Sequence, residues 1–196
     1  GLSTLDVTTA EFQALEFDSE KQLIDELCRL RPKEILLPEK WITHHADLLA
    51  ELRQHFDPAL HSKPLVHFDH AHAYSLLTRH FQVHSLDGFG LNGMTAAISA
   101  AGAILDYLSC DLSLSIDHIR SIRSEPISQY MLLDRSTQRH LELTESLHEG
   151  KNQCTLLHLL DQTITPMGGR LLKQWIIHPL LDVNAITARQ EAIEDF

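Results

Sequence analysis

At 196 residues the chain is long enough to bury a sizeable core in one domain or two. With 43% hydrophobic and 22% charged residues it is too apolar for a disordered segment. Its 27 acidic against 16 basic side chains, a net charge of −11, exclude a dominant phosphate-neutralising face, so by itself it is expected to bind DNA weakly or not at all.

Leu5 to Thr8 and Glu11 to Phe17 flank Thr9-Ala10, and the alternation at Phe12, Ala14 and Phe17 predicts a β-hairpin. Asp18 or Ser19 is placed to cap a helix carrying Leu23, Ile24, Leu27 and Leu30 at helical spacing, closed by Arg31-Pro32. Ile35-Leu36-Leu37 is wholly apolar and stopped by Pro38, which predicts a short buried parallel strand. Trp41 to Phe56 predicts a weaker helix through Leu48, Leu49 and Leu52, Leu65 to Phe68 a second short strand, and Tyr74 to His80 another helix. Strands and helices alternating over short connections imply an α/β layer, and a hairpin followed by parallel strands makes its sheet mixed. Met94 to Tyr107 predicts the last helix over that sheet. Ala97, Ile98, Ala101, Leu105 and Leu108 form its stripe, and Ala100 and Gly102 allow close backbone approach. It is too short, and carries Asp106, for a membrane span needing about 20 apolar residues.

Asp111 to Ser115 turns polar and aperiodic, the expected boundary, and beyond it the chain reads as nearly all α. Gln129 to Leu133 predicts a brief strand, Asp134 caps a helix through Leu143, and Thr155 to Leu160 is helical. Thr163 to Asp182 is the most punctuated stretch. Thr165 caps a helix with Pro166 at its first position, where a missing N–H costs nothing. Met167, Leu171, Leu172, Trp175 and Ile176 form its apolar stripe, Pro179 ends it, and Asp182 caps the next helix through Val183, Ile186 and Ile193. Phe196 interrupts that last run without a stop signal, so the sequence reads as an excerpt whose stripes lack partners. Trp175 and Ile176 are then expected to be partly exposed or covered by self-association.

Several groups invite a chemical reading. Gly88-Phe89-Gly90-Leu91-Asn92-Gly93 satisfies GxGxxG, opens a helix and has Asp111 downstream, the pattern of a dinucleotide site. Its required preceding strand would be Phe81 to Leu86, which is polar, so a glycine-rich turn before a packed helix is preferred. His67, Asp69, His70 and His72 crowd together as zinc ligands do, yet no completing ligand stands out, and solvated or capping histidines are preferred. Gly168-Gly169-Arg170 at a helix start has the makings of an anion site, against glycines where two helices cross closely. Cys28, Cys110 and Cys154 form no ligand spacing and read as reduced thiols of a cytosolic protein. No GxSxG occurs, and no signal-peptide pattern is visible.

Thr165-Pro166-Met167-Gly168, Arg170-Leu171-Leu172-Lys173, Trp175 and His178-Pro179-Leu180 resemble the helical core of the MutS family, DNA mismatch-recognition ATPases. The resemblance extends upstream through Leu133-Asp134, Thr137 and Leu141-Glu142-Leu143, then His118-Ile119-Arg120, Gly88-Phe89-Gly90 and Gly1 to Asp6; His140 stands where the family has Asn. It implies a connector domain over residues 1–110, a ribonuclease H-like mixed sheet with packed helices, followed over 111–196 by the first part of a helical core. The ribonuclease H-like likeness raises a metal-nuclease alternative with Asp6 on the first strand, which the family's connector is not. No GxxxxGK[ST] and no Phe-x-Glu occur, so ATP, Mg²⁺ and mismatch reading are implied for the full-length protein only, and this stretch is expected to hold no catalytic, cofactor or metal residue. The resemblance further implies docking of a MutL-like partner on the connector, a full-length homodimer acting on mismatched duplex DNA in the bacterial cytosol, and coupling between distant sites.

Overall fold

The computed structural model describes residues 1–124, 130, 131, 133, 135–147 and 154–194, and divides the chain into two compact units, Gly1–Glu125 and Pro126–Phe196.

The first unit opens on the expected hairpin, β1 (Leu2–Asp6) antiparallel to β2 (Glu11–Leu15), in register from Leu2 opposite Leu15 to Asp6 opposite Glu11. β1 lies earlier than the expected Leu5 to Thr8, because the Asp6 carboxylate accepts the Thr8 and Thr9 amides at 2.8 and 3.2 Å and draws Val7 to Ala10 into a turn, while β2 starts at Glu11 as expected and ends two residues sooner. Ser19 caps α1 (Glu20–Leu30), and Arg31 in the left-handed region ends it. Then β3 (Glu34–Pro38) pairs in parallel with β4 (Ala59–Lys63). Between these strands the single helix expected over Trp41 to Phe56 is two, α2 (Glu39–His44) and α3 (Ala46–His55), broken at His45. Thr43 Oγ1 donates to Lys40 O at 2.9 Å and His44 Nδ1 lies 2.5 Å from the same oxygen, and His45, at φ −121° and ψ 39°, leaves the helical region.

Leu65–Phe68, expected as a strand, is a 3-10 turn, and the strand is β4 just before it. Pro64 starts the turn, the His67 amide reaches back to Pro64 O, and Leu65 and Val66 are 59% and 68% exposed. An apolar run that is not buried has no reason to pair as a strand. The Asp69 side chain then caps α4 (His70–Phe81). A second 3-10 turn, Asp87–Phe89, leads to α5 (Thr95–Asp106), whose stripe Ala97, Ile98, Ala101, Leu105 and Leu108 is buried as expected. A Cβ added at Gly102 would overlap Ala73, so glycine lets α5 lie directly on α4.

Residues 111–124 belong to this unit, beyond the boundary the composition suggests. Ile119 and Ile122 are fully buried in its core, β5 (Arg123–Ser124) runs parallel to β2, and His80 Nε2 lies 2.7 Å from Ile119 O. Among the described residues the strands form two separate ladders, β1-β2-β5 and β3-β4, each with its own apolar cluster. One cluster is built by α4, α5 and β2; the other joins Leu27 and Cys28 of α1, Ile35 of β3 and Leu48, Leu49 and Leu52 of α3. The unit is thus mixed α/β with small sheets.

In the second unit, Tyr130 bridges Leu180 antiparallel; the rest of the expected Gln129 to Leu133 strand and the Asp134 cap fall partly outside the described residues. Helix α6 (Arg135–His140) stops short of Leu143 because Glu142, at φ +47°, lets the Glu142 and Leu143 amides turn back to Arg139 O and Gln138 O. Thr155 caps α7 (Leu156–Leu160), Thr165 caps α8 (Pro166–Ile177) with Pro166 in its first turn, and Asp182 caps α9 (Val183–Glu194). Both longer helices start where the sequence indicates, and α8 ends just before His178-Pro179 as expected. The α8 stripe is largely open: Met167 is 53% exposed, Leu171 47% and Trp175 37%, while Ile177 is buried. Arg189 lies over the Trp175 ring at 4.4 Å.

Candidate functional site

The dinucleotide candidate is a turn, not a phosphate cradle. Phe81 ends α4, no strand follows it, and Gly90 and Gly93, both at φ +78°, make the corner before α5. A phosphate here would use the first amides of α5. Those of Ala96 and Ala97 are already bound, at 2.8 and 3.1 Å, by the Glu16 carboxylate. Gly1 packs on the same backbone, so closely that a Cβ would overlap Ala96 and Ala97. The helix dipole is thus answered by the protein's own anion.

The histidine cluster disperses. His67 Nδ1 lies 2.5 Å from the nearly buried carboxylate of Asp106 at the end of α5, Asp69 is spent as the α4 cap, and His70 packs its ring near Tyr74. Asp6, the nuclease candidate, caps the hairpin turn. Among the described residues no group of three or more His, Cys, Asp or Glu side chains is placed to hold a metal ion. Gly168 and Gly169 face their own lead-in rather than another helix: a Cβ on Gly168 would press on Thr163 and Thr165, and one on Gly169 on Thr163 and Asp161. Thr163 donates its N–H and O–H to Asp161 at 3.1 and 2.7 Å and holds that carboxyl below its ordinary pKa. Cys110 and Cys154 are exposed, Cys28 is buried, and the three form no disulfide. His140 is exposed.

One constellation was invisible in the sequence because its members are scattered over 78 positions, from Glu34 to Asp111. After α5 the chain makes a π-turn, Tyr107–Asp111, beside the end of the β3-β4 ladder. Lys63 of β4 pairs with Asp111 and stands 5.6 Å from the centre of the Tyr107 ring. His61 packs on that ring at 5.4 Å and lies 3.5 Å from Glu34 of β3. Burial, then the charge and hydrogen bond of Glu34, push the Tyr107 phenol above its ordinary pKa. The group joins three chain segments and converges on no reactive atom. Elsewhere Leu65, Val66, Phe68, His70, Thr95 and Ser99 line an open surface groove of about 560 Å³.

The chain is thus an α/β unit followed by a helical unit. Comparison with known families gives its class. MutS domain II matches residues 1–120 and MutS domain III residues 136–196. The DNA mismatch repair protein MutS of Protochlamydia amoebophila is 49% identical over 99% of the chain, and its namesake in Chlamydia abortus 41% over 99%. That of Syntrophobacter fumaroxidans is 40% identical over the whole chain. The chain spans 22% to 24% of the length of these relatives. It belongs to the MutS family of DNA mismatch-repair proteins, of which it carries domains II and III. No helix among the described residues is long and apolar enough to cross a membrane.

Proposed function

We propose that this segment is the connecting part of a mismatch-recognition ATPase, carrying information between DNA and nucleotide sites that lie in other parts of the protein. The first unit acts as the connector, a ribonuclease H-like module without nuclease chemistry, and docks a MutL-like partner; the second begins the helical core. The observation that carries this reading is the succession of domains II and III along the chain, with the gap between them, residues 121–135, spanning the division of the fold at Glu125–Pro126. The state of the site supports it. The amides a phosphate would use are taken by Glu16, and the carboxylates a metal would need are taken as caps by Asp6 and Asp69. ATP and Mg²⁺ act in the full-length protein, since GxxxxGK[ST] does not occur in this sequence. By the same reading the full-length protein is a homodimer working on mismatched duplex DNA in the bacterial cytosol.

The test is capture of a purified MutL-like protein by the immobilised 196-residue chain, run beside NAD titration and a nuclease assay in Mg²⁺ and Mn²⁺. Retention of the MutL-like protein, with no thermal shift from NAD and no cleavage, supports the connecting role. Cleavage abolished by Asp6→Asn would replace it with the nuclease reading.

A further inference from the structure

The π-turn at the end of α5 is held from outside. A π-turn accommodates one residue more than an α-turn and has poorer packing along its axis, so it persists where neighbours fix it. Here the Leu112 amide bonds Tyr107 O at 3.1 Å and the Leu114 amide reaches Leu108 O at 2.9 Å, wide turns both. Ser113, a non-glycine residue, follows at φ +50°. At this turn Lys63 pairs with Asp111 and stands over the Tyr107 ring, against which His61 also packs.

Downstream the chain is anchored again, by Ile119 and Ile122 in the core and by His118 Nε2, 2.9 Å from Val7 O. Between the two anchorages, residues 112–118 are exposed except for half-buried Ile116, and Leu112 and Leu114 stand 44% and 46% open. Relaxing the π-turn to an α-turn would rotate the chain beyond it by about 100° and advance it by about 1.5 Å, a shift this slack stretch is able to absorb.

We propose that Tyr107–Asp111 is a latch: the Lys63–Asp111 pair and the packing of Lys63 and His61 on the Tyr107 ring hold the over-wide turn and set the path of residues 112–118, and loosening them lets that stretch move while the α4-α5 core stays intact. The latch belongs to the first unit alone and stands or falls separately from partner docking.

Amide hydrogen exchange by NMR on the 196-residue chain tests it, with Lys63→Met, Asp111→Asn and the double variant. The Leu112 and Leu114 amides should exchange roughly two- to fivefold faster in each single variant, the size expected of a part-exposed ion pair, with no further gain in the double variant. Amides of Ala101 to Leu105 should be unchanged. The Tyr107 phenol should titrate lower in Asp111→Asn and higher in Lys63→Met, because the two charges act on it with opposite sign. Unchanged exchange at Leu112 and Leu114, equal acceleration throughout α5, additive effects in the double variant, or a Tyr107 that moves in neither single variant would each overturn the latch.

Discussion

Replacing Gly102 by alanine sets two effects of opposite sign against each other. In the interior of a helix, alanine is favoured over glycine by about 1 kcal/mol, so local propensity alone predicts a more stable protein. The packing predicts the reverse. The new methyl would overlap the Cβ and Cα of Ala73 on α4, atoms fixed to the backbone that no rotamer change removes. The two helices must separate, which loosens the buried contacts of Leu77, Ile98, Ala101 and Leu105 around the crossing. Overpacking of this kind costs roughly 1–3 kcal/mol, and with backbone on both sides the upper part of that range applies, leaving a net loss of about 1–2 kcal/mol after the propensity gain. Urea unfolding followed by far-ultraviolet circular dichroism measures it as a lower midpoint at unchanged slope. Gly88→Ala is the control. Nothing lies within 4 Å of its added methyl and its φ is not positive, so it should be neutral or gain up to about 1 kcal/mol. A Gly102→Ala protein as stable as the wild type would refute the close helix crossing.

Other consequences are smaller. Glu16→Gln keeps an acceptor at the Ala96 and Ala97 amides but removes its charge, and should cost about 0.5–1 kcal/mol by the same urea assay, less in high salt. Thr165→Ala removes the acceptor of the Gly168 amide and should destabilise α8 by about 1 kcal/mol, seen as faster exchange at Gly168. Asp161 should titrate below the ordinary aspartate value of about 3.9 by carboxyl NMR, and Thr163→Val should raise its midpoint. Because its folded pKa is depressed, its stabilising contribution is present above the unfolded pKa and is lost as pH falls through the folded one.

What the sequence disclosed was local. Ser19, Thr165 and Asp182 cap helices because a short polar side chain before an apolar period has one good use, and the α5 stripe is buried because its period matches one helix face. What stayed hidden depended on partners distant in the chain. Strand β4 escaped notice because it has no fully buried position and alternates weakly, while the more apolar Leu65-Val66 beside it drew the strand assignment and is exposed. The break at His45 is one residue's backbone leaving the helical region, which no period records. Glu34, His61, Lys63, Tyr107 and Asp111 meet only after β3, β4 and α5 are in place, so no spacing could signal them. Gly168 and Gly169 were legible as sites of close approach, but the neighbour is the Asp161 to Thr165 lead-in. The family resemblance was legible along the whole chain, and the domain II and III matches bear it out.

The most direct test of the connecting role is a segment exchange. In a strain lacking MutS, the Protochlamydia amoebophila relative would be expressed with its matching segment, which is 49% identical, replaced by these 196 residues, and the spontaneous mutation rate measured by fluctuation assay. If the segment transmits between DNA and nucleotide sites as proposed, the rate should fall close to that given by the intact relative. A chimera that is soluble, binds mismatched DNA and hydrolyses ATP normally, yet leaves the rate at the level of the deletion strain, would contradict it.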